Sequence, residues 1–509
     1  MGAALVLAAL GLGVVGTSIG LIRATRERAA AEIERDRARA VQRFLEDTFQ
    51  RASPAVAKGQ DVSVLVDMMD DAAARIAAGT LSSDREGELR MRLRIARIYH
   101  DLGREPDAQR VLAPVLAASS AEAGPLTELD RCEGWILSAK SAMNENRFQD
   151  AIDLLNRALA KLNDRDPAHV HAVGEAHSDL GEIARRQGRL DDAIAMHRAA
   201  IEVIERGSPV DDEMLVSSLG NLALVLKNAD RLAESREVYD RLVTLTSDEK
   251  FRNHPLTVAM LGNRGQLALA EADIPGAAKI LAQALEVART VYKPGHPALL
   301  QAMNNHAGML LRTGKPDDAI AMLRDVLAGY KANNPGDHPD VAGALVALGS
   351  VIHMIKPTTE AQRLTREGVE MFARLEPKGS VDGEVARVSL AIQLERASMG
   401  EDAVQQAQIA ADTLSRLLAP DHPEVRRAKT TLGRILRDND RFCDAVPVLR
   451  DALTLTLAAR PADHPDVASA QTSLAIGLLG CKQPPMFAEA ERVARECLAS
   501  REKAMGADD

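Results

Sequence analysis

The sequence predicts an all-α solenoid of about ten helical hairpins that follows a single N-terminal membrane anchor. Three observations predict it: a marker with a 42-residue period, small residues in the same register, and one uncharged apolar run near the start. At 509 residues the chain is too long for one ordinary core, whereas a repeat array can grow without a single centre.

The composition suits closely packed helices and disfavours several classes of function. Hydrophobic residues make up 46% of the chain but aromatic residues only 2%, which disfavours sheets and stacking platforms for single-stranded nucleic acid. A net charge of −10 without a sustained basic run argues against a nucleic-acid partner. The cysteines are Cys132, Cys443, Cys481 and Cys497. Because they form no C-x-x-C, we expect packed or free thiols and no disulfide framework.

The expected anchor is the uncharged run 3–22, which three arginines follow closely. Twenty residues are enough for a helix to cross a bilayer, and the lack of a basic stretch before the run argues against a cleaved signal peptide. Within it, Gly16 and Gly20 form a G-x-x-x-G spacing. This spacing either lets two membrane helices associate into a homodimer or belongs to a glycine-rich helix without a partner.

The rest of the chain divides into four predicted parts. A charged juxtamembrane helix is expected over 23–51, and a linker with a lead-in helix over 52–84. The repeat array is expected over 85–503, and 504–509 form a tail.

Five His-Pro pairs mark the period. Their intervals are 42, 42, 84 and 42 residues, and the longest contains one degenerate copy near Ser380. Proline fits the first turn of a helix and disfavours helical geometry in the residue before it, so each pair predicts where a repeat begins. The pairs begin at His254, His296, His338, His422 and His464.

Two further series keep the same register. An alanine recurs at the start of each second helix, and a small residue precedes it by twelve positions, which lets the two helices cross closely. The turn series is Ala151, Ala193, Ser235, Ala277, Ala319, Ala361, Ala403 and Ala445. The small series is Ala96, Ala139, Gly181, Ala223, Gly265, Ala307, Gly349, Ala391, Gly433 and Ala475. Since one hairpin cannot bury its apolar face alone, these series predict a stack with a continuous core.

The pattern of small residue, turn and alanine resembles the tetratricopeptide repeat, and the 42-residue period with His-Pro is similar to the kinesin-light-chain type. The resemblance covers roughly 85–503 and implies a right-handed superhelix of helical hairpins. Two copies depart from the pattern, at Lys356-Pro357, where glycine usually turns the chain, and at an insertion around Pro484-Pro485. We expect these two copies to be irregular.

A second resemblance concerns the start of the chain. The anchor, the charged helix and the stretches 44–47 and 52–54, followed by such repeats, resemble the part of bacterial membrane serine/threonine kinases beyond the kinase domain. The sequence contains no kinase motif, so no phosphoryl transfer is implied for this chain. An alternative hypothesis is therefore the sensor or docking half of a signalling kinase whose catalytic domain lies outside the chain.

The sequence contains no motif of a catalytic or metal site, and it predicts no enzyme and no cofactor. The His-Pro histidines occur once per repeat, too far apart to share a metal. A denser group is His169, His171, Glu175 and His177, but a further firm ligand is not evident there. An enzyme site in this group is kept as a third hypothesis.

An asparagine series indicates a binding surface. Asn221, Asn263 and Asn305 are spaced by 42 residues and stand two positions before the small site, on the face that lines the concave groove in tetratricopeptide arrays. Asparagine offers donors and an acceptor to a peptide backbone, so the series could hold an extended segment. Asn304 and Gln301 flank it. The alternative is a solvated polar face or a hydrogen bond between repeats.

Together these patterns predict a scaffold that binds a protein or peptide in its groove and the membrane through 3–22. The anchor predicts a single-pass membrane protein, and the second resemblance implies a bacterial inner membrane. The arginines that follow the anchor and the expected free thiols favour cytoplasmic repeats, whereas the kinase resemblance implies repeats on the other side.

Overall fold

The computed structural model describes residues 63–79, 84–119, 124–420 and 422–505. Over these ranges the chain forms helices and no strand. It divides into two compact units, Met1–Gly134 and Trp135–Asp509. The all-α solenoid predicted from the sequence is confirmed.

The first unit contains α1 (Ser63–Ala77), α2 (Arg85–Asp101) and α3 (Glu105–Ser119). Asp70 on α1 accepts hydrogen bonds from Tyr99 Oη at 2.7 Å and from Arg104 Nη1 at 2.8 Å. These two bonds, that from Tyr99 first, hold the pKa of the Asp70 carboxyl below its usual range. They attach α1 to hairpin 1, which is the pair α2 and α3.

Nine more hairpins follow among the described residues. Each is numbered in chain order and consists of a first and a second helix. They are α4 (Glu128–Asn144) with α5 (Phe148–Leu159), α6 (Val170–Arg186) with α7 (Leu190–Arg206), α8 (Asp212–Asn228) with α9 (Leu232–Thr246), α10 (Pro255–Ala270) with α11 (Ile274–Val291), α12 (Pro297–Arg312) with α13 (Pro316–Asn333), α14 (Pro339–Ile355) with α15 (Thr359–Leu375), α16 (Val381–Arg396) with α17 (Gly400–Leu417), α18 (Pro423–Asp438) with α19 (Phe442–Ala459), and α20 (Pro465–Cys481) with α21 (Pro484–Met505). First helices of neighbouring hairpins contact one another from hairpin 3 to hairpin 6 and again from hairpin 7 to hairpin 10.

The small and turn series meet inside each hairpin. All eight residues of the turn series are fully buried. A Cβ added at Gly181 would lie 2.7 Å from the ring of His197, four residues after the turn alanine. Where Ser235 replaces alanine, its Oγ is buried and donates a hydrogen bond to the carbonyl of Ala223 at 2.8 Å. Close crossing of the two helices is therefore the reason for both series.

The turn inside most hairpins contains one residue in the left-handed region. From Asn146 onward these residues keep the 42-residue interval, with one copy missing. They are Gly103, Asn146, Gly188, Asp230, Ala272, Gly314, Ser398, Asp440 and Lys482. Hairpin 7 is irregular, as expected: Lys356 is extended, with φ −151°, because the proline that follows restricts it.

The His-Pro pairs are helix caps. In all five pairs the histidine is the N-cap residue, and its Nδ1 accepts a hydrogen bond from the backbone N–H two positions on. The proline takes the first helical position, where no N–H is needed. In the degenerate copy Ser380 does the same work, since its Oγ accepts a hydrogen bond from the N–H of Gly383. The histidines thus have a structural role.

Removing one cap should destabilise the array measurably. His338 Nδ1 accepts from the N–H of Asp340 at 3.2 Å. We expect His338→Ala to lower the free energy of unfolding by about 1 kcal/mol. The His338→Ser variant should keep most of the original stability, because serine is a good N-cap. Urea unfolding measures both. Equal stability of the alanine and serine variants would contradict the capping role.

Cysteine pairing differs from the prediction. Cys443 at the start of α19 and Cys481 at the end of α20 form a disulfide, with their Cα atoms 4.8 Å apart. Cys132 and Cys497 are buried thiols. The prediction was wrong for the first pair because it considered only local spacing. Neighbouring hairpins bring together residues about one repeat apart, and the bonded cysteines are separated by 38 positions.

The prediction of the protein's location is corrected. Within the described ranges, none of the helices is both long enough and apolar enough to cross a bilayer. This finding overturns the predicted single-pass location in a bacterial inner membrane. The run 3–22 with Gly16 and Gly20, and the charged helix expected over 23–51, lie outside the described residues.

The second unit returns on itself. Asp230, in the turn of hairpin 4, forms an ion pair with Arg460 and lies 3.8 Å from Nε2 of His464, at the start of hairpin 10. The ring of His422, which caps hairpin 9, lies against Gly188 in the turn of hairpin 3. A cleft of about 1110 Å³ remains between these early turns and the late loops.

Candidate functional site

A smaller cleft, of about 250 Å³, lies between the first helices of hairpins 5 and 6. Its residues are Pro255, Val258, Ala259, Gly262 and Asn263 on α10, Ala298, Gln301, Ala302 and Asn305 on α12, and Leu281, Ala284 and Tyr292 from hairpin 5. We call it the amide cleft. The α10 and α12 residues recur at helical spacing, so each helix presents one face to it.

Small residues open the amide cleft. Ala259 and Gly262 on α10 face Ala298 and Ala302 on α12, where larger side chains would fill the space between the helices. A Cβ added at Gly262 would lie 3.8 Å from Nδ2 of Asn305, which is ordinary van der Waals contact. The width of the cleft therefore follows from side-chain size at these positions.

Three amide side chains converge on this cleft. Nε2 of Gln301 donates a hydrogen bond to Oδ1 of Asn305 at 3.2 Å, which orients both groups. Asn263 lines the cleft from the facing helix. The structure thus brings together three of the five residues expected to bind a peptide. Asn221 on α8 and Asn304 on α12 are half-buried and do not line it.

Tyr292, which lines the cleft, stacks on the ring of His296. The rings of Tyr292 and His296 are 4.2 Å apart and nearly parallel, with 10° between their planes. Burial raises the pKa of the Tyr292 phenol and lowers the pKa of the His296 imidazole. Both rings are therefore expected to be uncharged near neutral pH, and they form a firm, mostly apolar wall.

The amide cleft is neutral. Its lining contains no charged residue. Elsewhere ion pairs join neighbouring first helices: Lys140 Nζ lies 2.8 Å from Asp179 Oδ1, and Arg434 Nη1 lies 2.8 Å from Glu395 Oε2. Neutral amides in a partly apolar cleft can exchange hydrogen bonds with a peptide backbone without selecting a charge.

The hairpins around the amide cleft match a known family of helical repeats. Models of the tetratricopeptide repeat match residues 136–210, 214–290 and 273–332, which cover the amide cleft. The chain therefore contains tetratricopeptide repeats over these residues. The resemblance inferred from the 42-residue register is thereby confirmed.

Solved structures similar to this chain include the apo quorum sensor NprR from B. thuringiensis. It is 11% identical, with a TM-score of 0.50, over 70% of this chain and 99% of that one. A Podospora anserina kinesin light chain with nearly identical TPR-like repeats is 19% identical, with a TM-score of 0.37, over 42% and 99%. At these identities the similarity to NprR concerns the fold alone.

The side chains of the histidine group make separate contacts with other residues. His169 Nδ1 accepts from the N–H of Asn163, and His171 Nδ1 lies 3.3 Å from Asp211. Glu175 lies 3.5 Å from Lys140 Nζ. Among the described residues, no three His, Cys, Asp or Glu side chains are placed to hold a metal ion. The third hypothesis gains no support.

Sequence reasoning missed the apolar part of the cleft. Tyr292, Pro255 and Val258 were not expected to take part. One signal was available, because Tyr292 is among only four tyrosines and stands four residues before a His-Pro pair. In an aromatic-poor chain this placement could have marked it as a residue of the cleft.

Proposed function

We propose that this protein is a scaffold that binds an extended segment of a protein partner across the first helices of hairpins 4 to 6. The observation that supports the proposal is the convergence of Asn263, Gln301 and Asn305 on one neutral cleft. Asn221 occupies the equivalent position on α8, so it extends the same set of amides by one hairpin.

The chemistry of the site favours binding over turnover. Amide side chains donate and accept hydrogen bonds but do not transfer protons at neutral pH, and the amide cleft contains no nucleophile paired with a base. A backbone segment satisfies such amides regardless of its own side chains. Turnover of any substrate by the purified chain would overturn the scaffold proposal.

The test removes the three asparagines together. Peptides are first selected from a displayed random library against the full chain, and their Kd is measured by fluorescence anisotropy. We expect Asn221→Ala with Asn263→Ala and Asn305→Ala to weaken binding by about 3 kcal/mol, roughly 100-fold, at about 1 kcal/mol per lost hydrogen bond. Unfolding should change by less than about 0.5 kcal/mol, because these are partly exposed polar positions.

Two further variants sharpen this test. Gly262→Leu should also weaken binding, because its side chain fills the cleft while all the amides remain. Asn156→Ala, at an exposed asparagine on α5, is the matched control and should leave the Kd unchanged. Peptides that bind the triple variant as tightly as the original chain would refute the groove. A loss of folding in that variant would mean that the asparagines are structural.

A further inference from the structure

Among the described residues, hairpin 10 has exposed apolar side chains on both of its helices. Ile476 and Leu479 on α20 are 43% and 53% exposed, and Leu498 on α21 is 58% exposed. We call these three side chains the terminal face. With Phe487 they are four of the twelve exposed large apolar side chains in the described chain, although hairpin 10 is one hairpin of ten.

The contacts of α21 with α20 show which residues of earlier hairpins are equivalent to Leu498. Sγ of Cys497 lies 3.4 Å from the carbonyl oxygen of Ala468, seven residues before the small site. In hairpin 7, Gly368 lies against the carbonyl of Ala342, which also stands seven residues before its small site. Cys497 therefore matches Gly368, and Leu498 matches the residue after it, Val369.

Counterparts of Leu498 in several earlier hairpins are buried. Val369 is buried, and so is Leu285, which packs with Leu299 and Ala302 on the first helix of the following hairpin. In earlier hairpins the position of Leu498 thus packs against the first helix of the following hairpin. Hairpin 10 therefore exposes apolar side chains at a position that earlier hairpins cover with a helix.

We propose that a second copy of this chain covers the terminal face, so that two arrays associate through hairpin 10 about a two-fold axis. The charges beside the face favour a second copy. Glu491 and Arg495 lie on the same stripe of α21 as Leu498, are exposed, and pair with each other at 2.7 Å. Two such helices, antiparallel about the axis, set Glu491 opposite the partner's Arg495 and Arg495 opposite the partner's Glu491. The surface is self-complementary in charge as well as apolar.

The first experiment is sedimentation velocity on the full chain from low to high micromolar concentration. A patch of this size is small for a permanent interface, so we expect a dimer that dissociates on dilution. Leu479→Glu with Leu498→Glu should yield a monomer throughout. Met354→Glu, at an exposed methionine on α14 outside the face, is the control and should still dimerise. A monomeric original chain, or a double variant that still dimerises, would overturn the proposal.

A charge exchange tests the two-fold arrangement. E491R alone and R495E alone should each weaken self-association, since each places like charges opposite one another. An equimolar mixture of the two should recover the dimer, because both opposing pairs are then complementary. Circular dichroism confirms that each variant is folded. Failure of the mixture to associate more strongly than either variant alone would refute the arrangement. The proposal is independent of the amide cleft, so its failure leaves the proposed function untouched.

Discussion

Lowering the pH from 7 to 4 should cost the folded array about 3 kcal/mol through one side chain, His197, since 1.36 kcal/mol corresponds to each pKa unit. His197 is fully buried on α7 against Gly181, and neither ring nitrogen has a hydrogen-bond partner. Burial lowers its pKa to about 4; the charge of Glu182 opposes this shift and that of Arg185 adds to it.

The direction follows from the two protonation states. An unfolded histidine titrates near pH 6.5, so the unfolded chain binds this proton more readily than the folded chain. The contribution of His197 to the free energy of unfolding is therefore present in full above about pH 6.5. It is lost progressively as the pH falls to about 4. Burial also lowers the pKa of His177, His306 and His353, and these groups act in the same direction.

Denaturant unfolding at a series of pH values measures this effect, and the repeat supplies matched variants. Leucine occupies the place of His197 in hairpins 5 and 9, where Leu281 and Leu449 lie over Gly265 and Gly433. His197→Leu should therefore fold and lose much of the acid sensitivity, and Leu281→His should add it. Unchanged pH dependence in both variants would show that the acid sensitivity arises elsewhere.

Alanine substitutions at two glycines of α14 should change the free energy of unfolding in opposite directions. A Cβ at Gly349 on α14 would lie 2.7 Å from the carbonyl oxygen of Ala361, a backbone atom of α15 that cannot rotate away. Gly349→Ala should therefore destabilise the array by about 1–3 kcal/mol through overpacking. Gly343 has no neighbour within 4 Å of an added Cβ, so Gly343→Ala should stabilise it by up to about 1 kcal/mol through helix propensity.

Thermal and urea unfolding of these two variants share one control, the unmodified chain. The helix, the substitution and the solvent are the same, so the difference between the variants isolates the helix crossing. Similar stability of the Gly349→Ala and Gly343→Ala variants would mean that the two helices can separate at little cost, and close packing would not explain the small series.

The helical hairpins could be predicted from the sequence because the residues that define each hairpin act within that hairpin. Proline at a first helical position and a small residue twelve positions before a buried alanine act within one hairpin, so a single sequence reveals them through repetition. Even the irregular turn at Lys356 could be expected from the proline that follows it. The capping hydrogen bond from histidine Nδ1 was not predicted, since the same residues also suit a simple turn.

The site was predictable only in part. The register placed Asn263 and Asn305 on one face, and the structure shows that they share a cleft. The wall formed by Tyr292 and the disulfide of Cys443 with Cys481 depend on how neighbouring hairpins stack. That stacking depends on the packing of many side chains between helices, and no single sequence motif specifies it.

The ion pair of Asp230 with Arg460 changes how this array should unfold. In an open solenoid each repeat interacts only with its two neighbours, so stability is close to a sum of nearest-neighbour terms and the ends can fray independently. Here the turn of hairpin 4 is also joined to the loop between hairpins 9 and 10. Opening any hairpin between them also releases a contact far along the chain. The enclosed segment therefore has the topology of a closed ring, and opening within it costs the additional free energy of this contact, up to about 1 kcal/mol.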